Sequence, residues 1–138
     1  MIVDISTLSK LQIFSQVFCK NLQKGDVIFL SGDLGSGKTT FTQLLLKQLG
    51  YKDRVKSPTY ALYETYELPD FTLIHMDLYR LSNPEELYYL GIDEIFLDNN
   101  IVIIEWPEKG LGVLPNASKS LTFEIVNANN RRLKIDFT

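Results

Sequence analysis

The sequence predicts an α/β fold of three layers, in which helices cover a mixed, partly antiparallel sheet. Three features indicate this fold. The apolar run 27–30 has the character of a buried strand, and a glycine-rich loop joins it to the helical spacing of residues 40–49. The strands predicted at 60–68 and 71–77 are joined by so short a turn that they must be antiparallel. Alternating apolar and polar residues near the end of the chain predict a second antiparallel pair, and mixed pairing follows.

Local signals place the elements of the first third of the chain. Residues 2–5 could form a short strand. Ser6 or Thr7 is a plausible N-cap for a helix that runs to about Asn21 and carries an apolar stripe. Gly50 is placed to end the helix over 40–49 as its C-cap.

The elements after the second predicted strand follow from equally local signals. Asn83 and Pro84 have the pattern of an N-cap and a first-turn proline, so a helix is predicted to begin there and to stop at Gly91. A short helical piece is predicted at 92–96. The continuous apolar run 101–104 predicts a strand.

The end of the chain is predicted to be a β-hairpin. Residues 121–125 and 133–137 alternate apolar with polar side chains, and an Asn-rich turn joins them. We find no internal repeat, low-complexity tract or linker, so residues 1–138 are expected to form a single domain.

The segment Gly-Asp-Leu-Gly-Ser-Gly-Lys-Thr at 32–39 fills every fixed position of the pattern G-x-x-x-x-G-K-[ST]. Glycines let the backbone wrap an anion with its N–H groups, and the following helix adds the positive end of its dipole. Lys38 would reach the β- and γ-phosphates, and the Thr39 hydroxyl would ligate Mg²⁺. We therefore predict a P-loop NTPase-like domain that binds a nucleoside triphosphate.

The nucleotide is predicted to be ATP. The chain lacks a convincing Asn-Lys-x-Asp segment, with which GTP-specific proteins read guanine. Residues near Thr7 and Leu8, or the basic pair Arg131 and Arg132, are the candidates to border the base.

Two carboxylates are placed to act on a triphosphate with its metal. Asp77 and Glu105 each follow an apolar strand, and ligands bind at the carboxyl ends of the strands in open α/β sheets. Glu105 is the better candidate for metal contact because its strand is wholly apolar and therefore central. Asp77 would then orient the attacking water or support the metal indirectly. Spacing alone allows the two roles to be exchanged, and either residue could instead be an exposed acid at a strand end.

Three further features admit a functional and a structural interpretation. The Ser57-Pro58-Thr59 segment could sense the γ-phosphate through a hydroxyl, or it could be a solvated loop stopped by proline. His75 shares a predicted strand face with Asp77, but a satisfied core or surface histidine is the favoured interpretation. Trp106 could shield the site or stack on a partner, and core packing explains it equally well.

Charge, cysteine content and the lengths of the apolar runs bear on which partners and which compartment are expected. The 138 residues carry a net charge of −3, which does not indicate a surface that grips nucleic acid by itself. The single cysteine, Cys19, excludes an intrachain disulfide and fits a reducing compartment. No signal peptide and no apolar run of membrane-spanning length are found, so a cytoplasmic location without membrane contact is expected.

Several motifs in register resemble the small bacterial P-loop ATPase family (TsaE, formerly YjeE) that is needed for threonylcarbamoyladenosine modification of tRNA. The resemblance extends over roughly residues 25–115. The matching blocks are 32–40, 55–60, 75–81, 84–87, 91–92 and 105–110.

The resemblance implies roles for individual residues. Thr39 and Glu105 would be the Mg²⁺ ligands, and Asp77 and Trp106 would be needed for ATPase function. Lys38, Asp77 and Glu105 form the expected catalytic set. The expected nucleotide contacts are Gly35, Ser36, Gly37, Lys38, Thr39, Thr40, Thr59 and Trp106, with residues 57–59 as the nucleotide-responsive segment.

The resemblance also implies partners. Members of this family dock on a two-subunit complex that performs the threonylcarbamoyl transfer, so tRNA would be met only indirectly. ATP binding would support assembly, and hydrolysis would reset it. Slow hydrolysis by the isolated chain is expected because the sequence shows no identifiable arginine finger. The alternatives are a small-molecule kinase and a nucleotide-sensing assembly factor whose hydrolysis is incidental.

Overall fold

A computed structural model describes residues 1–55 and 62–137, and in that part of the chain seven strands form one sheet. Its spatial order is β1-β7-β6-β2-β5-β4-β3. The strands are β1 (Ile2–Asp4), β2 (Val27–Ser31), β3 (Tyr63–Glu67), β4 (Thr72–Asp77), β5 (Asn100–Glu105), β6 (Lys119–Asn127) and β7 (Asn130–Phe137). The helices are α1 (Leu8–Lys20), α2 (Lys38–Gln48), the one-turn α3 (Ile92–Ile95), and two 3₁₀ helices, Pro84–Leu90 and Pro107–Gly110.

The sheet is parallel at its centre and antiparallel at both sides. Strands β6, β2, β5 and β4 run parallel to one another, whereas β3 pairs antiparallel with β4, and β7 with both β6 and β1. The predicted mixed sheet and the terminal hairpin are therefore confirmed. Central parallel strands are covered on both faces, which explains the continuous apolar run in β5.

Helices cover both faces of this sheet, as the three-layer prediction requires. Alternate residues of β5 belong to two separate buried clusters: Ile101 and Ile103 lie with α1 and α2, and Val102 and Ile104 lie with the segment 84–95. This alternation is the pleat of a strand with two buried faces.

Aromatic rings join α1, α2 and the sheet. Phe18 and Phe41 lie 5.5 Å apart between ring centroids, and Phe41 and Phe123 lie 5.8 Å apart. Phe41 is fully buried in the first turn of α2. This contact fixes the end of α2 that follows the glycine-rich loop.

Two predicted helix starts are found at their capping residues, whereas the C-cap of α2 is Leu49 and the predicted Gly50 follows it. Thr7, not Ser6, caps α1, and its hydroxyl accepts the Lys10 N–H at 3.1 Å. The Asn83 side chain likewise accepts the Glu85 N–H at 3.1 Å. No helix among the described residues is both long and apolar enough to cross a lipid bilayer.

The helix predicted from Asn83 differs in type. Residues 84–90 form a 3₁₀ helix, and Gly91 ends it in the left-handed conformation with φ +73°. The apolar side chains of Leu87 and Leu90 are three residues apart, so three residues per turn place both on the same face. The predicted short helical piece follows as α3.

Candidate functional site

The loop 32–37 joins β2 to α2, and glycine is required at its first position. Gly32 has φ +139°, and a Cβ there would lie 2.5 Å from the Phe123 carbonyl oxygen. Gly35 and Gly37 also have positive φ, at +78° and +114°, but a Cβ at Gly35 would meet nothing within 4 Å. Steric contact with β6 therefore selects glycine at Gly32, whereas backbone conformation alone favours it at Gly35.

A cavity of about 380 Å³ lies beside this loop and the N-terminus of α2. That volume is within the range of small-molecule sites. Residues from the loop, α2, β4 and β5 meet there, which brings together the groups predicted to bind phosphate and those predicted to hold metal. The lining residues are Leu34, Gly35, Gly37, Lys38, Thr39, Thr40, Asp77, Tyr79, Arg80, Glu105, Trp106 and Arg131.

In the part of the chain that the structure describes, one predicted nucleotide contact, Ser36, is not part of this wall. The Ser36 side chain is buried, and its hydroxyl has no hydrogen-bond partner among the described residues. Ser36 lines a neighbouring cavity of about 220 Å³ instead. Thr59, with the rest of the 57–59 segment, lies outside the described residues, so its role stays a prediction.

The neighbouring cavity contains the residues suggested for the base. Thr7 and Leu8 line it, and Gly37, Thr40 and Arg131 line both cavities. The two spaces therefore adjoin along the first turn of α2.

Lys38 is an almost fully buried cation, 4% exposed. Its Nζ donates to the Gly32 carbonyl at 2.5 Å and lies 4.0 Å from the centre of the Trp106 ring. Burial lowers the pKa of Lys38, whereas the nearby charges of Glu105 and Asp77 act in the opposite direction. A carbonyl and a ring face thus hold the ammonium at the cavity wall, within a negative field that favours its charged form.

Asp77 and Glu105 lie side by side at the carboxyl edge of the sheet. They are register partners in the parallel pair β4 and β5. Glu105 is 3% exposed, and Asp77 is half-buried and accepts the Tyr79 N–H at 3.0 Å. Burial raises the pKa of Asp77, the hydrogen bond from Tyr79 opposes that rise, and the charge of Glu105 adds to it.

His75 contacts one of these two carboxylates, which sequence reasoning did not indicate. Its Nε2 lies 2.6 Å from Glu105 Oε2, and both side chains are buried. The relevant signal was the two-residue spacing of His75 and Asp77 on one strand face. That spacing identifies Glu105 as a neighbour only once the register of β4 against β5 is known.

Trp106 turns the chain away from the sheet directly after Glu105. Its φ of +57° is uncommon for a residue with a side chain, and such conformations persist where the surroundings fix them. The Tyr79 ring lies 5.0 Å from the Trp106 ring, and Lys38 lies over the indole. Trp106 therefore contacts the cavity directly and is more than a packed core residue.

The oxygen donors at this edge fit Mg²⁺. The Thr39 hydroxyl and the carboxylates of Asp77 and Glu105 all line the cavity, and Mg²⁺ prefers hard oxygen ligands. Within the described residues, no group of three or more histidine, cysteine, aspartate or glutamate side chains could hold a metal. The ion would therefore depend on phosphate oxygens and water for the rest of its shell, as is usual for Mg²⁺.

We expect Asp77→Asn to stabilise the nucleotide-free protein near neutral pH. Because folding raises the pKa of Asp77, its contribution to stability is complete below the ordinary value of 3.8 and is lost as the pH rises through the folded-state value. Asparagine does not ionise, so the variant does not lose this stability as the pH rises. Its side-chain oxygen can still accept the hydrogen bond from the Tyr79 N–H. Denaturant unfolding between pH 4 and 8 should show the advantage of the variant growing with pH.

Asp70→Asn is the control for this effect, because Asp70 is exposed in the turn between β3 and β4. Its pH profile should follow that of the wild type. If the Asp77→Asn and wild-type profiles run parallel over this range, burial of the Asp77 charge does not weaken the fold.

Comparison with known proteins identifies clear relatives. The family model for threonylcarbamoyl adenosine biosynthesis protein TsaE matches residues 5–134. The tRNA threonylcarbamoyladenosine biosynthesis protein TsaE of Haemophilus influenzae is 46% identical over 105 residues, which are 75% of this chain and 66% of that protein. The protein of the same name from Borreliella burgdorferi is 40% identical over 130 residues, 93% of this chain and 94% of that one.

A solved structure shows the same fold. The crystal structure of Bacillus subtilis YdiB aligns with a TM-score of 0.80 and 26% sequence identity, over 96% of this chain and 82% of that chain. The alignment therefore includes nearly all of the sheet and helices that build the cavity.

Proposed function

The chain belongs to the TsaE family of threonylcarbamoyl adenosine biosynthesis proteins, and from that premise we propose that it binds ATP with Mg²⁺ and hydrolyses it slowly to support threonylcarbamoyladenosine modification of tRNA. One observation carries the proposal. Lys38, Thr39, Asp77 and Glu105, which belong to three different elements, meet at one cavity beside the N-terminus of α2. A triphosphate site needs a cation, a hydroxyl and carboxylates in that arrangement.

The loop and Lys38 would bind the phosphates. Backbone N–H groups at the start of α2 point along the helix axis and favour an anion there. Lys38 Nζ now donates to the Gly32 carbonyl, so a phosphate oxygen would replace or share a bond that is already made. The Lys38 side chain would need little rearrangement to bind phosphate, because it is already buried at the cavity wall.

Thr39 and Glu105 would hold the magnesium ion, and Asp77 would act on water. The ion, when bound, would neutralise charge on the β- and γ-phosphates. Asp77 lies beside Glu105 at the same edge, where its carboxylate can accept a hydrogen bond from a water molecule that attacks the γ-phosphate. Trp106 and Tyr79 would limit access of other water to this side of the cavity.

The neighbouring cavity would take the base and sugar of ATP. It adjoins the phosphate cavity through Gly37, Thr40 and Arg131, and its far wall includes Leu8 and Leu11. An apolar wall with a few polar groups is the usual composition of such a subsite.

The transfer reaction itself would belong to a partner complex of two protein subunits. With a net charge of −3, this chain does not supply the cationic surface that a tRNA backbone requires, so tRNA would be bound mainly by those partners. ATP binding would favour the assembled complex, and hydrolysis would reset it.

Turnover by the isolated chain should be slow, below about 10⁻² s⁻¹, the rate of nucleotidases that carry their arginine in the same chain. Arg80, which the sequence did not indicate as a cavity residue, and Arg131, a candidate to border the base, both line the cavity, and both are exposed. An exposed arginine side chain is hydrated, so we expect a covering partner surface to be needed before an arginine can act on the γ-phosphate.

Phosphate release from tag-free protein under saturating ATP and Mg²⁺ tests this expectation. Addition of the two-subunit transfer complex should raise the rate. Turnover above about 1 s⁻¹ without any partner, in the range of kinases, would contradict the proposal.

A further inference from the structure

The buried contact between His75 and Glu105 determines which oxygen of Glu105 can face the cavity. His75 is 1% exposed and Glu105 is 3% exposed, and their 2.6 Å separation corresponds to a short, charge-assisted hydrogen bond. The contact crosses from β4 to β5 at the edge of the sheet that carries the site. Glu105 Oε2 is therefore occupied inside the protein.

The two nitrogens of the imidazole have different surroundings. An ionised carboxylate can only accept, so His75 Nε2 carries the hydrogen. The other nitrogen, Nδ1, is buried without a hydrogen-bond partner among the described residues. Within the described part of the chain, Glu105 is therefore the one hydrogen-bond partner of the His75 imidazole.

The hydrogen bond to His75 restricts the side-chain torsions of Glu105, and a metal ligand benefits from such restriction. A glutamate side chain has three torsions and loses rotamer freedom when it binds an ion. With Oε2 bonded to His75, the side chain is already fixed, and Oε1 is the oxygen left for the cavity that Glu105 lines. Hydrogen bonds of this kind commonly strengthen metal binding by orienting the ligand.

We propose that His75 is a positioning residue for magnesium: it holds Glu105 with Oε1 directed to the ion. The inference rests on the proposed function, since it concerns the metal that accompanies ATP. According to this inference, His75 affects the affinity for Mg²⁺ and not the binding of phosphate, which would depend on the loop and Lys38. It also distinguishes Glu105, which is held by a side chain, from Asp77, which is held by the Tyr79 backbone N–H.

The test measures how much Mg²⁺ tightens binding of a non-hydrolysable ATP analogue, by calorimetry with Mg²⁺ and with EDTA. In His75→Phe this Mg²⁺-dependent gain should fall at least about tenfold, while affinity in EDTA stays within twofold. His75→Gln, whose terminal amide can donate to Glu105, should keep most of the gain. Met76→Leu is the matched control: Met76 is a buried β4 neighbour that packs in the cluster on the other face of the sheet.

Each result decides the inference. If the Mg²⁺-dependent gain in affinity is unchanged in His75→Phe, the inference is wrong. It is also wrong if His75→Phe and His75→Gln lose this gain equally, because that result would indicate that His75 only fills space. Failure of the wild-type protein to bind the analogue at all would instead contradict the proposed function.

A second measurement needs no variant and decides the matter if His75→Phe does not fold. His75 is the only histidine, so ¹⁵N spectra of the tag-free protein contain one imidazole. We expect Nε2 to carry the hydrogen that is shared with Glu105, and we expect the Nε2–H signal to shift when Mg²⁺ is added to the nucleotide complex. An Nε2 without a hydrogen, or a signal that Mg²⁺ leaves unchanged, would contradict the inference.

Discussion

Replacing Lys38 with alanine should weaken ATP binding by about two orders of magnitude. A hydrogen bond to a charged group contributes about 1.5–3 kcal/mol, and about 1.4 kcal/mol corresponds to tenfold in affinity. Lys38 is the one lysine of the described cavity wall, so no other lysine there can take its place.

Tryptophan fluorescence provides the readout for Lys38. Trp106 is the only tryptophan, and Lys38 Nζ lies 4.0 Å from its ring, so movement of the ammonium toward phosphate should change the emission. Lys47→Ala, which removes an exposed lysine from the same helix, is the control and should bind as the wild type does. Equal ATP affinity in Lys38→Ala and Lys47→Ala would show that the phosphates bind elsewhere.

Glu105→Gln should abolish most hydrolysis, by about 10² or more, while the nucleotide still binds. The amide oxygen can accept the His75 Nε2–H, so the fold is retained, but the negative charge that attracts the metal is lost. Affinity measured in EDTA should change little, and the Mg²⁺-dependent increase should largely disappear. Glu105→Ala should show the same loss of Mg²⁺ dependence together with lower stability, because it leaves His75 with a buried donor and no acceptor.

Glu108→Gln is the matched control for Glu105→Gln, because it removes a nearby negative charge that lies outside the cavity. Glu108 is exposed in the 3₁₀ helix directly after Trp106 and does not line the cavity, so its removal should leave Mg²⁺ dependence intact. If Glu105→Gln keeps wild-type Mg²⁺ dependence, Glu105 is not a metal ligand. If it loses hydrolysis and still supports full tRNA modification together with the partner complex, hydrolysis is incidental to the function.

Sequence could predict the elements whose determinants lie within a few residues. The Thr7 and Asn83 caps are made to N–H groups two or three residues later, so the pattern and the interaction occupy the same short segment. The glycine loop is likewise local in origin. Even here, only the structure shows that Gly32 is required by the approach of β6 and Gly35 by its own φ.

Sequence could not predict which distant strands become neighbours. The parallel pairing of β2 with β6 depends on contacts about ninety residues apart, among them the buried ion pair of Asp26 and Lys119 at 2.6 Å. Neither residue has a local pattern that indicates the other. The same limit applies to the site: the sequence favours a core or surface residue for His75, because its partner Glu105 becomes adjacent only in the β4–β5 register.

The central claim is that the cavity at the start of α2 holds ATP and Mg²⁺ between the loop and the carboxylates at the strand ends. A crystal structure with a non-hydrolysable ATP analogue and Mg²⁺ tests it most directly. We expect the phosphates against the backbone of residues 35–40 with Lys38 on the terminal ones, and the ion on Thr39 and on Glu105 Oε1. An analogue bound away from this loop, or an ion that contacts neither Thr39 nor Glu105, would contradict the account.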